Sequence, residues 1–322
     1  GRTNLVQGLA TAELRQRAAG IALPARWQGS LIGNDAFQEV DIVGITRSIT
    51  KNGVTVRNRE DLGMDPQGGV LYRQDRRPGP VLIDLPKDEW QSLEAQIIEE
   101  VNIRGYKPST HVHIGQLKRA IKMLGKAQRP LFLAGGGVNI AHASQEFTQL
   151  AEKTGVPVVT TIMGRGAIPT SHPLYIGNLG MHGAYASNMA VNECDLLFSI
   201  GTRFNDRITG KLHSFAHAQI VHIDIDTAAI SRNVQVDVPI VADAKEAIEK
   251  MLEYVTECNT QKWLEEVAME AGAPYGDEEE ADHDAKDILE TMNRVFEKAI
   301  VVTDVGQHQM FVAQFMELDA NK

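Results

Sequence analysis

The sequence predicts an α/β protein built on a doubly wound parallel sheet, and three observations carry that expectation. Short apolar, β-branched runs alternate with helical patterns from residue 129 to residue 255. The runs end in glycine or an acidic residue, at Gly135, Gly164, Gly201, Asp224 and Asp243. No stretch approaches the ~20 apolar residues that cross a bilayer, so the apolar runs are expected in the core of a soluble protein and not in a membrane.

In chain order, Arg129 and Pro130 open a strand over 131–134, which ends in Gly135, Gly136 and Gly137. A helical pattern over 141–153 follows and stops at Gly155, where glycine favours a helix end. The second strand, 156–161, is short and β-branched. The loop MGRGAIPTSHP separates it from a helix near 184–192, and the strand 195–200 follows, closed by Gly201. A strand over 220–225, a short helix over 228–232, a strand over 238–241 and a helix capped by Asp243 and running to Val255 complete the alternation. Trp263 and Leu264 lie on a further helical stretch as packing residues. The acidic run DEEEADHD at 277–284 is expected to be a solvated linker. Residues 300–303 are predicted as a strand, with a turn at 305–308. Three regions result: 1–95, 110–260 and 283–322.

Composition bounds the function. The 322 residues carry a net charge of −10, which repels phosphate backbones and argues against a nucleic-acid partner. Two cysteines are too few for a disulfide framework or a zinc cluster, which points to a reducing, cytoplasmic setting. His111 and His113 have no third ligand nearby in sequence, so no metal site is expected. No G-x-S-x-G elbow supports a hydrolase. Small molecules are the expected ligands. Glycines at strand ends admit a ligand to the backbone and carboxylates suit ribose hydroxyls, so their repetition favours a nucleotide-like ligand. For any single glycine, a simple turn is the stronger reading. The run GGGVNI is not the G-x-G-x-x-G dinucleotide fingerprint.

The motifs LGMHG at 179–183, GTRFNDRITGKL at 201–212 and VHIDID at 221–226 occur in an order and spacing that resemble acetolactate synthase large subunits, a thiamine diphosphate-dependent family. The resemblance implies a middle domain that holds FAD in an extended conformation, as a structural cofactor not consumed by the net reaction. Carried over by motif, flavin contacts fall on Arg77, Gly135, Gly136, Met163, His182, Gly183, Gly201, Arg203, Asp206, Arg207, Asp224, Ile225, Asp243 and Gln309. The stretches SLIGNDAFQEVDIVGITRSI at 30–49 and RPGPVLIDLPKD at 77–88 resemble part of the family's pyrimidine-binding domain. There Phe37, Gln38 and Lys87 would line the substrate channel, although Phe37 as core and Lys87 at an exposed strand end are equally open readings.

VVTDVGQHQMFVAQF at 301–315 resembles the start of the diphosphate-binding domain, where Val305, Gly306, Gln307 and His308 would touch thiamine diphosphate. Two segments, 13–28 and 62–76, keep the family's length but lose its pattern, through divergence into loops or a local shift of reading frame. In the second, Pro66, Gly68 and Gly69 are expected to break a helix. The family's activating Glu would precede Gly1, and its Mg²⁺ motif does not follow Gln309, so the chain reads as truncated at both ends. The resemblance implies an enzyme that condenses two 2-oxo acids with loss of CO₂ in branched-chain amino-acid biosynthesis, as a homodimer or higher oligomer with a possible regulatory subunit, but this chain alone is expected to lack that activity. The alternative is a non-catalytic flavin- or nucleotide-binding fragment acting as a binding or assembly module.

Overall fold

The computed structural model describes residues 2–15, 21–26, 40–56, 68–69, 77–86, 111–210, 215, 217–271, 280–296 and 299–317. The chain divides into two compact units, Gly1–Ser109 and Thr110–Lys322.

In the first unit a 3-10 turn leads into helix α1 (Leu5–Arg15), followed by β1 (Ile21–Ala22), β2 (Ala25–Arg26), α2 (Ile42–Thr46), β3 (Asn52–Thr55) and β4 (Val81–Pro86). All six residues of β4 are buried. Its side chains alternate, with Val81, Ile83 and Leu85 in one apolar cluster and Leu82 in another beside Leu9 and Ile42. β3 pairs in parallel with β4 from Asn52↔Val81 to Thr55↔Asp84. β1 and β2 pair with the beginning and end of β4, and the Pro24 carbonyl between them accepts from Leu85 N at 3.0 Å. The divergent segment 13–28 therefore still supplies sheet residues, interrupted where proline has no N–H to donate. Gly68 and Gly69 are helical and buried; Pro66 and the rest of 62–76 lie outside the described residues. A Cβ on Gly69 would stand 3.0 Å from Ile83, so the missing side chain permits close packing on β4.

The second unit contains α3 (Ile114–Leu124), β5 (Pro130–Ala134), α4 (Gly136–Ile140), α5 (Ser144–Thr154), β6 (Val158–Thr160), β7 (Tyr175–Asn178), α6 (Tyr185–Glu193) and β8 (Leu196–Ile200). It continues with α7 (Asp206–Thr209), β9 (Gln219–Asp224), β10 (Val238–Val241), α8 (Ala244–Tyr254), α9 (Gln261–Ala271), α10 (Glu280–Val295) and α11 (Gln307–Phe315). Six strands form one sheet in the order β10-β9-β8-β5-β6-β7, every pair parallel. Alternation along the strands divides the core. Phe132, Val158, Phe198 and Val221 face α3, α5 and α8 through Leu117, Phe147 and Ile248. Leu131, Leu133, Leu197 and Ile220 face α6 and α9 through Val191, Trp263 and Val267. Helices thus cover both faces, the doubly wound arrangement that the alternation predicted. Phe132 meets Phe147 and Phe198 edge to face at 5.9 and 5.6 Å. Trp263 Nε1 donates to Pro130 O at 3.0 Å, tying α9 to the start of β5.

Local differences from the sequence reading have physical causes. The helix expected over 141–153 is α5, which starts three residues later, at Ser144; the short α4 before it was not anticipated, and His142 between them takes a positive φ of 52°. Gly155 does end α5, in the left-handed region at φ 68°. Residues 228–232 form hydrogen-bonded turns and not a helix. Strand β7 was not anticipated, since four residues including Gly177 give little β signal. Residues 300–303 form no strand, because no neighbouring strand among the described residues pairs with them. Ile300 and Val302 stand 92% and 87% exposed.

Candidate functional site

Along the sheet, chain order runs outward from β5 through β6 to β7, then returns to β8 on the other side of β5 and runs outward again to β10. The reversal between β5 and β8 is a topological switch point, where connections leave in opposite directions; in open α/β sheets ligands generally bind in the crevice outside the carboxyl ends at such a point. Its floor is two glycine turns in contact. Gly135 N donates to Ile200 O at 2.9 Å, Gly137 N to Gly201 O at 3.0 Å, and Gly201 N to Ile223 O at 2.8 Å. A Cβ on Gly135 would lie 2.1 Å from Gly201 O, and one on Gly137 would lie 2.7 Å from Gly201 Cα. Glycine is required here because backbone touches backbone. These three N–H groups are already spent inside the protein, so the turns give a ligand proximity and shape and not donors.

The flanking loops are held by side-chain amides. After β6, Thr161 Oγ1 accepts from Gly164 N at 3.0 Å, and Asn139 Nδ2 donates to Met163 O and Arg165 O at 3.0 and 2.8 Å. After β7, Asn188 brackets Gly180, accepting from its N and donating to its O, both at 3.1 Å. Gly180 carries φ 118°, and a Cβ there would meet Arg207 O at 2.5 Å. Met181 N donates to Arg207 O at 2.9 Å, so the loops after β7 and β8 meet although β5 and β6 lie between those strands. His182, Asp206 and Arg207 are exposed, with Arg207 Nε 3.8 Å from Asp206. Met163 is 38% and Met181 61% exposed, leaving apolar surface at the same edge.

At the ends of β9 and β10 the carboxylates have distinct roles. Asp224 is nearly buried, and its Oδ1 accepts from Asp226 N at 2.8 Å. His222, fully buried beside it, bonds through Nε2 to Thr202 O at 2.8 Å, which requires the Nε2–H tautomer because a carbonyl only accepts. Its ring meets Phe204 edge-on at 5.0 Å. Asp243 caps α8, accepting from Lys245 N and Glu246 N at 2.9 and 3.2 Å, as expected of a helix start.

The second unit thus gathers Gly135, Gly136, Met163, His182, Gly183, Gly201, Arg203, Asp206, Arg207, Asp224, Ile225 and Asp243 on the loops that leave the strands of one sheet at their carboxyl ends. Gly183 N is committed to Gly180 O at 2.9 Å. Val305, Gly306, Gln307, His308 and Gln309 lie at the start of α11, with Val305 73% exposed. Arg77 belongs to the first unit, 3.9 Å from Glu13. Phe37, Gln38 and Lys87 fall outside the described residues. Sequence reasoning did not single out Asn139, Asn188, His222 or Arg165; the available signal was an amide inside a short helix beside a glycine loop.

His113, considered as a ligand, instead caps α3 by accepting from Gln116 N at 3.1 Å. Among the described residues no group of three or more His, Cys, Asp or Glu has the arrangement to hold a metal ion. Likewise among them, no helix is long and apolar enough to cross a membrane. Burial pushes the Cys194 thiol up to about 12, which leaves it an inert core group.

Residues 117–251, which hold the parallel sheet with helices on both faces, match the thiamine pyrophosphate enzyme central domain. Among full-length relatives, the probable acetolactate synthase large subunit of Methanocaldococcus jannaschii is 42% identical over 98% of this chain and 56% of its own length. The acetolactate synthase large subunits of Corynebacterium glutamicum and Cyanidium caldarium are 39% and 38% identical, over 99% and 100% of this chain and 53% and 57% of theirs. Over nearly its whole length the sequence is similar to acetolactate synthase large subunits. It spans little more than half the length of these relatives.

Proposed function

We propose that the second unit holds FAD along the carboxyl edge of its sheet. The observation that carries this reading is the strand-order reversal between β5 and β8, floored by glycine turns packed backbone to backbone. The residues present fit an extended dinucleotide. Asp224 keeps Oδ2 as a carboxylate acceptor for ribose hydroxyls, while Oδ1 is fixed by Asp226 N. Arg207 offers an exposed guanidinium beside Asp206 for a diphosphate. Met163 and Met181 offer apolar surface for a ring. The flavin's part is structural: it fills the crevice and fixes the loops that line it.

In this reading the chain works within an acetolactate synthase, joining two 2-oxo acids with loss of CO₂. Thiamine diphosphate is the group that supplies the decarboxylation and carbon–carbon bond chemistry when bound. Residues 305–308, at the start of α11, would touch it, and Phe37, Gln38 and Lys87 would line the approach for substrate. The name large subunit, borne by the relatives, supports a smaller regulatory partner. The second reading, a flavin-binding module without catalysis of its own, is favoured by the cofactor-holding character of the residues gathered in the second unit.

Titration of the chain with FAD, followed by flavin fluorescence, tests the binding site, with Asp224→Asn as the comparison. Stoichiometric binding that weakens about ten- to a hundredfold in the variant supports the site, as expected for a lost charged acceptor worth about 1.5–3 kcal/mol. No binding, or equal affinity in both, counts against it. Acetolactate formation from pyruvate, with thiamine diphosphate and Mg²⁺ added, then separates the catalytic from the module reading.

A further inference from the structure

Helix α11 packs beside β7 with Ala313 and Met316 buried, and side chains tie it to the loops after β6 and β7. Arg165, in the loop after β6, donates from Nη1 to Val312 O at 3.1 Å and from Nη2 to Met316 O. Val312 O lies in the last turn of α11 and also accepts from Met316 N at 3.1 Å, while Met316 O lies at the C-cap, at the negative end of the helix dipole. The loop end of the contact is rigid. Asn139 holds the Arg165 carbonyl and the Met163 carbonyl together, and Ser144 Oγ donates to Asn139 Oδ1 at 3.3 Å. A second, longer contact joins Gln314 Nε2 to His182 O at 3.4 Å. The loops after β6 and β7 therefore both touch the helix that carries Gln307, His308 and Gln309.

We infer that Arg165 is a positioning residue: it latches α11 to the crevice loops, so that docking of α11 and occupancy of the crevice are thermodynamically coupled. The inference rests on the flavin reading for the identity of the ligand, but the latch itself does not need it. A planar guanidinium reaches two carbonyls at once, whereas an ammonium is a single point of donation. Linkage makes the coupling reciprocal: a ligand that favours docked α11 binds more weakly when α11 is undocked, and by the same factor.

The test is hydrogen exchange of the whole chain as parent, Arg165→Met and Arg165→Lys, with and without FAD, comparing amides of residues 307–317 with those of β5. Arg165→Met keeps the apolar stem and removes both donors. Without FAD, we expect it to accelerate exchange in 307–317 by about ten- to a hundredfold, the loss of charge-assisted bonds, while β5 is unchanged. Arg165→Lys is expected to fall between. With FAD, exchange in 307–317 should slow in the parent and not in Arg165→Met. The factor of slowing should match the factor by which the FAD dissociation constant rises in that variant.

Unchanged exchange of 307–317 in Arg165→Met overturns the latch. So does loss of β5 protection together with that of α11, which would make Arg165 a general support of the fold. Full α11 protection in Arg165→Lys overturns the two-carbonyl fork. FAD bound equally by parent and Arg165→Met, with equal protection of α11, overturns the coupling. Failure of the parent to bind FAD overturns the flavin reading instead, and the ligand-free comparison still decides the latch.

Discussion

Gly135→Ala is expected to destabilise the second unit far more than an alanine at another glycine of the same unit. The new Cβ would stand 2.1 Å from Gly201 O, 2.6 Å from Gly201 C and 2.7 Å from Thr202 Cβ. Two of those atoms are backbone at the ends of the sheet's central strands, so no rotamer change relieves the overlap. Overpacking of this kind costs about 1–3 kcal/mol. Separating the turns also strains the Gly135 N to Ile200 O and Gly137 N to Gly201 O bonds, each worth about 1 kcal/mol. The sum is roughly 3–5 kcal/mol, or a fall of about 6–20 °C in Tm for a unit of this size. Gly166→Ala is the control. Gly166 has φ 84° with nothing within 4 Å of an added Cβ, so only the left-handed penalty of about 1–2 kcal/mol applies. Urea titration of both variants, followed by circular dichroism, measures the difference. Equal midpoints would refute the argument that backbone contact, and not backbone conformation, requires glycine at 135.

Other substitutions probe the surrounding contacts. Glu270 has its carboxyl held above the usual range by burial and by Glu193, partly offset by Arg129; a raised carboxyl contributes stability below its unfolded value that is lost as pH rises through the folded one. Glu270→Gln should therefore raise the urea midpoint at neutral pH and narrow the gap between neutral and acidic midpoints; a lower neutral midpoint would contradict the assignment. Asn188→Ala removes both bonds that bracket Gly180 and should cost about 1–3 kcal/mol in urea while weakening FAD binding. Trp263→Phe keeps an aromatic ring, smaller than the indole, and leaves the Pro130 carbonyl without its indole donor, a loss of about 1–3 kcal/mol by thermal unfolding. No loss would mean that water replaces the indole.

The central fold was legible because its signals are local. β5, β8 and β9 are short apolar runs that end in glycine or aspartate, and Asp243 announces α8 by an N-cap geometry that the structure retains. The crevice edge followed from alternation alone. What stayed hidden depends on contacts distant in sequence. β7 is a strand because β6 pairs with it, not because YIGN prefers extended backbone. Residues 300–303 have strand composition but no pairing neighbour among the described residues, and composition cannot supply one. The glycines at 135, 137 and 201 were legible as special, while the reason, two turns in mutual contact, needed the strand order. Asn139 and Arg165 act on carbonyls 24 to 151 residues away, and Asn188 reaches back 8 residues to a loop carbonyl outside its own helix, which no spacing rule encodes.

The most direct test of the central claim is the visible spectrum of the chain after purification and desalting, followed by reconstitution with FAD. The account predicts a retained flavin band at one equivalent per chain after reconstitution, lost on unfolding in urea. A chain that folds cooperatively yet retains no flavin at saturating FAD would contradict it.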